Sequence, residues 1–115
     1  MTVRIVTDSA CDLTDAEVAS HGIEIVPLSI RFGDEEFIDR EQITINEFYD
    51  RMATSEHLPQ TAAPSPGQFD QAFRRALDGG ADQVVCINLS RKMSATMEAA
   101  EAGARGVDGD IRVLD

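Results

Sequence analysis

The chain has 115 residues, 43% of them apolar, and a formal net charge of −11. That length fits one small domain, able to bury roughly two-thirds of the surface its unfolded chain exposes. The negative balance argues against non-specific nucleic-acid binding and against docking on anionic lipid, since both need a positive surface.

In chain order, the β-branched run Val3–Val6 reads as a first strand, followed by a polar connection from Asp8 to Leu13. Thr14 opens T-D-A-E, a capping box with Glu17 at the third helical position, and Gly22 suits the stop of that helix. Ile23–Leu28 reads as a second strand. It is expected to continue through Ile30 and Phe32, turn at Gly33-Asp34 and return through Phe37 and Ile38 as a hairpin. Thr44 opens a second box with Glu47, after which Ile45, Phe48, Tyr49 and Met52 fall on one helix face. The segment from His57 to Pro64 reads as a loop. Ser65 opens a third box, S-P-G-Q, with Pro66 at the favoured first helical position. Phe69, Ala72, Phe73, Ala76 and Leu77 form the stripe of that helix, which Gly79-Gly80 ends. Val84–Leu89 is the continuous apolar run of a buried parallel strand. Ser94 is expected to cap an Ala-rich helix reaching Arg105, and Ile111–Leu114 is a last strand.

Strands alternating with helices of about ten residues predict an α/β fold, a mostly parallel sheet with helices on both faces and one β-hairpin extension. A doubly wound sheet normally follows its last strand with a helix, so residues 1–115 read as part of a larger protein. The N-terminus runs straight into V-R-I-V-T-D without an apolar signal region, and no apolar run approaches membrane-spanning length. A cytoplasmic location is expected.

Ligands of open parallel sheets bind beyond the C-terminal strand ends. That rule selects Thr7-Asp8-Ser9, Ser90 to Thr96 and Asp115, and the Thr61–Ser65 loop can join them because it precedes a helix starting at Ser65. Hydroxyls and free N–H groups at helix starts suit an anion. Thr61, Ser90, Ser94 and Thr96 offer neutral donors, and Arg91 and Lys92 add charge. The plain alternative is that Ser65 and Ser94 are only caps and Arg91-Lys92 a solvated pair. No phosphate-cradling glycine loop and no G-x-S-x-G elbow occurs. Cys11 and Cys86 have no zinc spacing, His21 and His57 have no partner at fixed spacing, and neither metal nor cofactor is expected. Asp8 and Asp12 read as loop carboxylates bonding nearby N–H groups; the functional alternative is a phosphoryl-accepting Asp8.

Three segments in register carry a family resemblance. V-T-D-S-A-C-D-L at Val6–Leu13, T-A-A-P-S-P at Thr61–Pro66 and I-N-L-S-R-K-M-S-A-T at Ile87–Thr96 resemble the T-D-S-x-x-D-L, T-S-x-P-S and S-S-x-L-S-G-T stretches of the DegV family. I-V-P-L-S-I, the hairpin to F-I-D, and E-F-Y at Glu47–Tyr49 fit as well. The resemblance implies two α/β lobes that hold a long-chain fatty acid between them. It implies a carrier, without catalytic residues of its own, that presents the carboxylate to a separate fatty-acid kinase subunit feeding phospholipid synthesis. Thr61 and Ser94 match the family's carboxylate contacts, with Ser9, Ser90, Arg91 and Thr96 around them. Departures are Arg91 at the second Ser of the pair, Ala95 at the Gly, and Ala62 and Ala63 in the loop. Residues 1–115 correspond to the N-terminal part of a DegV-like lobe, with the second lobe absent. An incomplete acyl tunnel and self-association of the chain are therefore expected. The competing readings are an Asp8-dependent phosphatase or phosphoryl-transfer enzyme and an interaction module without a ligand.

Overall fold

The computed structural model describes residues 1–115. The elements run β1 (Val3–Asp8), a 3-10 turn (Ser9–Cys11), α1 (Asp15–His21), β2 (Glu24–Val26), β3 (Ser29–Phe32), β4 (Glu35–Ile38), α2 (Ile45–Thr54), β5 (Gln60–Ala62), α3 (Pro66–Asp78), β6 (Gln83–Ile87), α4 (Thr96–Arg105) and β7 (Asp110–Leu114). Four strands form a parallel sheet in the order β2-β1-β6-β7, and three form a second sheet, β4-β3-β5, with antiparallel pairings.

The parallel sheet follows from β-branched runs joined by helices, because parallel neighbours need a long crossover. From β1 the chain moves outward one way to β2 and then the other way to β6 and β7. Right-handed crossovers then put α1 on one face and α3 and α4 on the other. Val6, Val26, Val84 and Cys86 point to the α3–α4 side and meet Phe69, Phe73 and Ala100 in the main core. Gly103 lets the two helices touch: a Cβ there would lie 2.7 Å from the Pro66 carbonyl oxygen and 2.8 Å from Phe69 Cβ. The opposite face is thinly covered. No residue of α1 is buried, while Ile87 and Leu114 are 45% and 48% exposed on that side.

All three capping boxes form, at Thr14–Glu17, Thr44–Glu47 and Ser65–Gln68, each with both reciprocal bonds. Other expectations need correction. The second strand does not run on to Phe32 in one sheet. Pro27 has no N–H to give a ladder, and there the chain leaves the parallel sheet and starts the antiparallel one at Ser29. The presumed loop from His57 to Pro64 contains β5, whose Thr61 pairs with Ile30. Of the α2 face, only Phe48 packs against the small core of Ile30, Phe32 and Ile43. Ile45, Tyr49 and Met52 remain 45%, 55% and 42% exposed, because a three-stranded sheet covers only a narrow strip of the helix. Ser94 is not the cap of α4: that helix starts at Thr96, the cap position is Ala95, and no side chain caps it.

Candidate functional site

The two sheets meet where β1 ends and β3 begins, and Ser9 makes the joint. Its hydroxyl oxygen accepts the Leu28 N–H at 2.9 Å, which leaves the hydroxyl proton free to donate elsewhere. Ser9 is 6% exposed and lines a cleft of about 150 Å³ with Leu28, Ile30, Ile45, Phe48, Tyr49 and Thr61. Leu28 and Ile30 are its buried aliphatic lining, and α2 supplies an apolar wall. Thr61 is exposed, and its hydroxyl has no partner within the chain. The cleft thus joins an apolar hollow to two hydroxyls with protons to give.

Ala10, Asp12, Asp39 and Arg40 complete the lining. Asp12 and Arg40 have φ of 59° and 68°, the positive-φ non-glycine residues of the chain. Such backbone costs on the order of 1–3 kcal/mol per residue and concentrates at ligand sites. The Arg40 side chain is 10% exposed and pairs with Asp15 at 2.8 Å. That hydrogen bond raises its pKa further, so Arg40 is cationic at every accessible pH, with its charge already answered by Asp15.

The remaining expected residues form a second group at the C-terminal ends of β6 and β7, and none of them lines the cleft. Ser94 Oγ accepts the Thr96 N–H at 3.2 Å and lies 2.8 Å from Thr96 Oγ1. Two hydroxyls that share one hydrogen bond keep one proton to donate outward. Thr96 is fully buried, so the outward donor is Ser94. Ser90 Oγ accepts the Lys92 N–H. Arg91 is not a free cation: it pairs with Glu101 at 2.8 Å and faces Asp115 at 3.7 Å. Ala95, which stands at the Gly of the S-G-T stretch it resembles, carries no backbone strain, since its φ is −79°.

Asp8 is 1% exposed. One carboxylate oxygen accepts the Ala10 N–H at 2.9 Å and the other the Leu89 N–H at 2.8 Å. It bolts the end of β1 to the segment after β6, with both oxygens engaged. Cys86 is fully buried. Burial pushes its thiol up to about 12, opposed by the Asn88 hydrogen bond and aided by nearby Asp8. No helix is long and apolar enough to cross a membrane.

Sequence reading found Ser9 and Thr61 but missed Leu28, Ile30 and Arg40 as cleft residues. Their only sequence signal was strand alternation and a polar turn, which say nothing of two sheets meeting.

A family model described as an uncharacterised protein of the DegV family matches residues 2–115. A DegV domain-containing protein of Deinococcus radiodurans is 33% identical over 115 residues, covering 100% of this chain and 41% of the relative. Among solved structures, a Thermus thermophilus DegV family protein described by its fatty-acid binding superposes with a TM-score of 0.87 at 33% identity. A stearic-acid-binding protein of Eubacterium ventriosum gives 0.90 at 34% identity. Each match covers 100% of this chain and 41% of that protein, so the chain spans about two-fifths of the length of these relatives.

Proposed function

The chain belongs to the DegV family, and from that premise we propose that it binds a long-chain fatty acid by its carboxylate, as part of a carrier that presents the acid to a separate fatty-acid kinase subunit. The observation that carries the binding is the cleft between the sheets, where the Ser9 and Thr61 hydroxyls sit beside a hollow of Leu28, Ile30 and Phe48. Relatives of this fold at 33% and 34% identity bind fatty acids, which supports the same ligand class here. Thr61 and Ser94 are the proposed carboxylate contacts: one hydroxyl has no partner, and the other has a proton left after pairing with Thr96. The start of α4 adds the partial positive charge of a helix N-terminus. Arg91 serves the fold of this segment rather than the ligand, since Glu101 and Asp115 already answer its charge.

At about 150 Å³, the cleft is smaller than the roughly 300–1,000 Å³ of sites that enclose a whole ligand. That supports a site completed by more protein than these residues, as the two-fifths coverage of the relatives also does. The thinly covered sheet face around Ile87 and Leu114 supports self-association of the isolated chain, to be read by sedimentation at micromolar concentration. The presentation to a kinase rests on the family resemblance. Its test is acyl-phosphate formation by such a kinase subunit with and without this protein.

The binding itself is tested by titrating a long-chain fatty acid and the matching fatty alcohol. The acid should bind at least tenfold more tightly, since a hydrogen bond to a charged group is worth about 1.5–3 kcal/mol. Equal affinities would show that the carboxylate is not what the protein holds. The enzyme reading with Asp8 as phosphoryl acceptor is disfavoured by the two backbone N–H groups that occupy its oxygens.

A further inference from the structure

A sheet edge presents a row of unpaired N–H and C=O groups, which proteins blunt with short strands, proline or clustered charge. β2, one edge of the parallel sheet, is three residues long and is followed by Pro27. In the second sheet, the edge strand β4 carries adjacent Glu35 and Glu36. β7, the other edge of the parallel sheet, has no such defence: it runs five residues, D-I-R-V-L. Leu114 turns its carbonyl inward, where it accepts the Asn88 N–H at 3.3 Å. Alternate residues of a strand bond to the same side, so Asp110 and Arg112 also face β6, and the N–H and C=O groups of Ile111 and Val113 point outward. The Ile111 and Val113 side chains pack against the main core. Asp110 and Arg112 therefore stand on the opposite face of the sheet, 43% and 72% exposed, with Arg112 Nε 3.5 Å from Asp110 Oδ1.

We propose that β7 pairs edge to edge with β7 of a second copy of this chain, antiparallel and centred on Ile111, so that two four-stranded sheets become one. A closed pair of like edges is two-fold, and across that axis antiparallel strands put an N–H opposite a C=O on both sides. The outward groups and the charges fix the register. Centring on Ile111 sets two outward-facing residues opposite each other, and it sets Asp110 of each copy opposite Arg112 of the other. The ion pair within each strand is then exchanged for two between strands. Centring on Arg112 would oppose two guanidinium groups, and centring on Val113 would set Arg112 against Leu114. A shift by a single residue of one strand would face outward groups with inward ones. This pairing gives the self-association proposed above an edge, a register and a symmetry, and it does not depend on the fatty-acid reading.

The test is sedimentation equilibrium of the 115-residue chain over the micromolar range. The salt is held at about 0.15 M, where screening beyond about 8 Å quiets the repulsion between two copies that each carry −11. The chain should show a monomer–dimer equilibrium. Arg112→Asp places two pairs of carboxylates opposite each other, and Asp110→Arg places two pairs of guanidinium groups. Each variant alone should dimerise about tenfold more weakly, with circular dichroism unchanged because both positions are exposed. An equimolar mixture of the two variants should recover the original dimer strength, since each strand then meets its complement. Both variants keep a net negative charge, so overall attraction does not account for that recovery. A wild-type chain that stays monomeric throughout the range would overturn the proposal. So would a dimer indifferent to both variants, or a mixture that fails to recover. A dimer that ignores the charge variants but disperses on Ile87→Ser would place the contact on the open sheet face instead.

Discussion

Replacing Asp8 by Asn should destabilise the fold rather than remove an activity. The carboxylate is buried and takes one N–H on each oxygen, from Ala10 and from Leu89. Each such bond to a charged acceptor contributes about 1.5–3 kcal/mol. The amide of Asn accepts one of the two N–H groups as a weaker neutral bond. Its NH₂ then meets the other N–H donor to donor, and a buried unsatisfied donor costs about 1–3 kcal/mol. Relief from burying a charge offsets part of this, which leaves a net loss of about 2–4 kcal/mol. That is a large share of the roughly 5–15 kcal/mol that holds a domain together. At about 4 °C per kcal/mol for a domain of this size, Tm should fall by roughly 8–16 °C. The assay is thermal unfolding followed by circular dichroism, with urea unfolding as a second measure. A variant with unchanged Tm, together with loss of a measurable phosphatase or phosphotransfer activity, would refute this reasoning and make Asp8 a nucleophile.

Gly103→Ala should cost about 1–3 kcal/mol by overpacking, since the new Cβ would lie 2.7 Å from the Pro66 carbonyl oxygen; urea midpoints of the two proteins check this. Cys86 should resist a thiol reagent at pH 8 until the protein unfolds, while half-buried Cys11 reacts first. The same thiol gives a pH signature: its folded value of about 12 exceeds its ordinary 9.0, so the folded state holds the proton more tightly. Its contribution to stability is therefore complete below about pH 9 and is lost as pH rises from there toward 12, at about 1.4 kcal/mol per pH unit. Cys86→Ala should lose that part of the alkaline slope, as denaturation curves across the range will show.

The parts legible in the sequence were those governed by neighbours in the chain. Thr14, Thr44 and Ser65 each meet a Glu or Gln three residues on, and each box closes as read. The run from Val84 read as a buried strand because both faces of a parallel sheet favour apolar residues. What escaped was decided by distant partners. Gln60–Ala62 carries no strand pattern and becomes β5 only because β3 offers it an edge. Pro27 is one residue in a run of strand formers, yet it marks the change of sheet. Ser94 looked like the residue just before the helix, but α4 begins two residues later at Thr96, whose N–H the Ser94 oxygen accepts. Thr61 and Ser9 could be picked out as hydroxyls, while the hollow beside them exists only once two sheets meet.

The central claim is that Thr61 and Ser94 hold a fatty-acid carboxylate. Thr61 is the cleaner probe, because its hydroxyl bonds nothing else in the chain, whereas Ser94 also steadies the start of α4 through Thr96. The deciding measurement is the affinity of Thr61→Ala, Ser94→Ala and the double variant for a fluorescent fatty acid, with the fatty alcohol alongside. Each single change should weaken the acid by about tenfold to a hundredfold and leave the alcohol nearly unaffected. Equal losses for acid and alcohol, or no loss for either variant, would contradict the claim and place the carboxylate elsewhere.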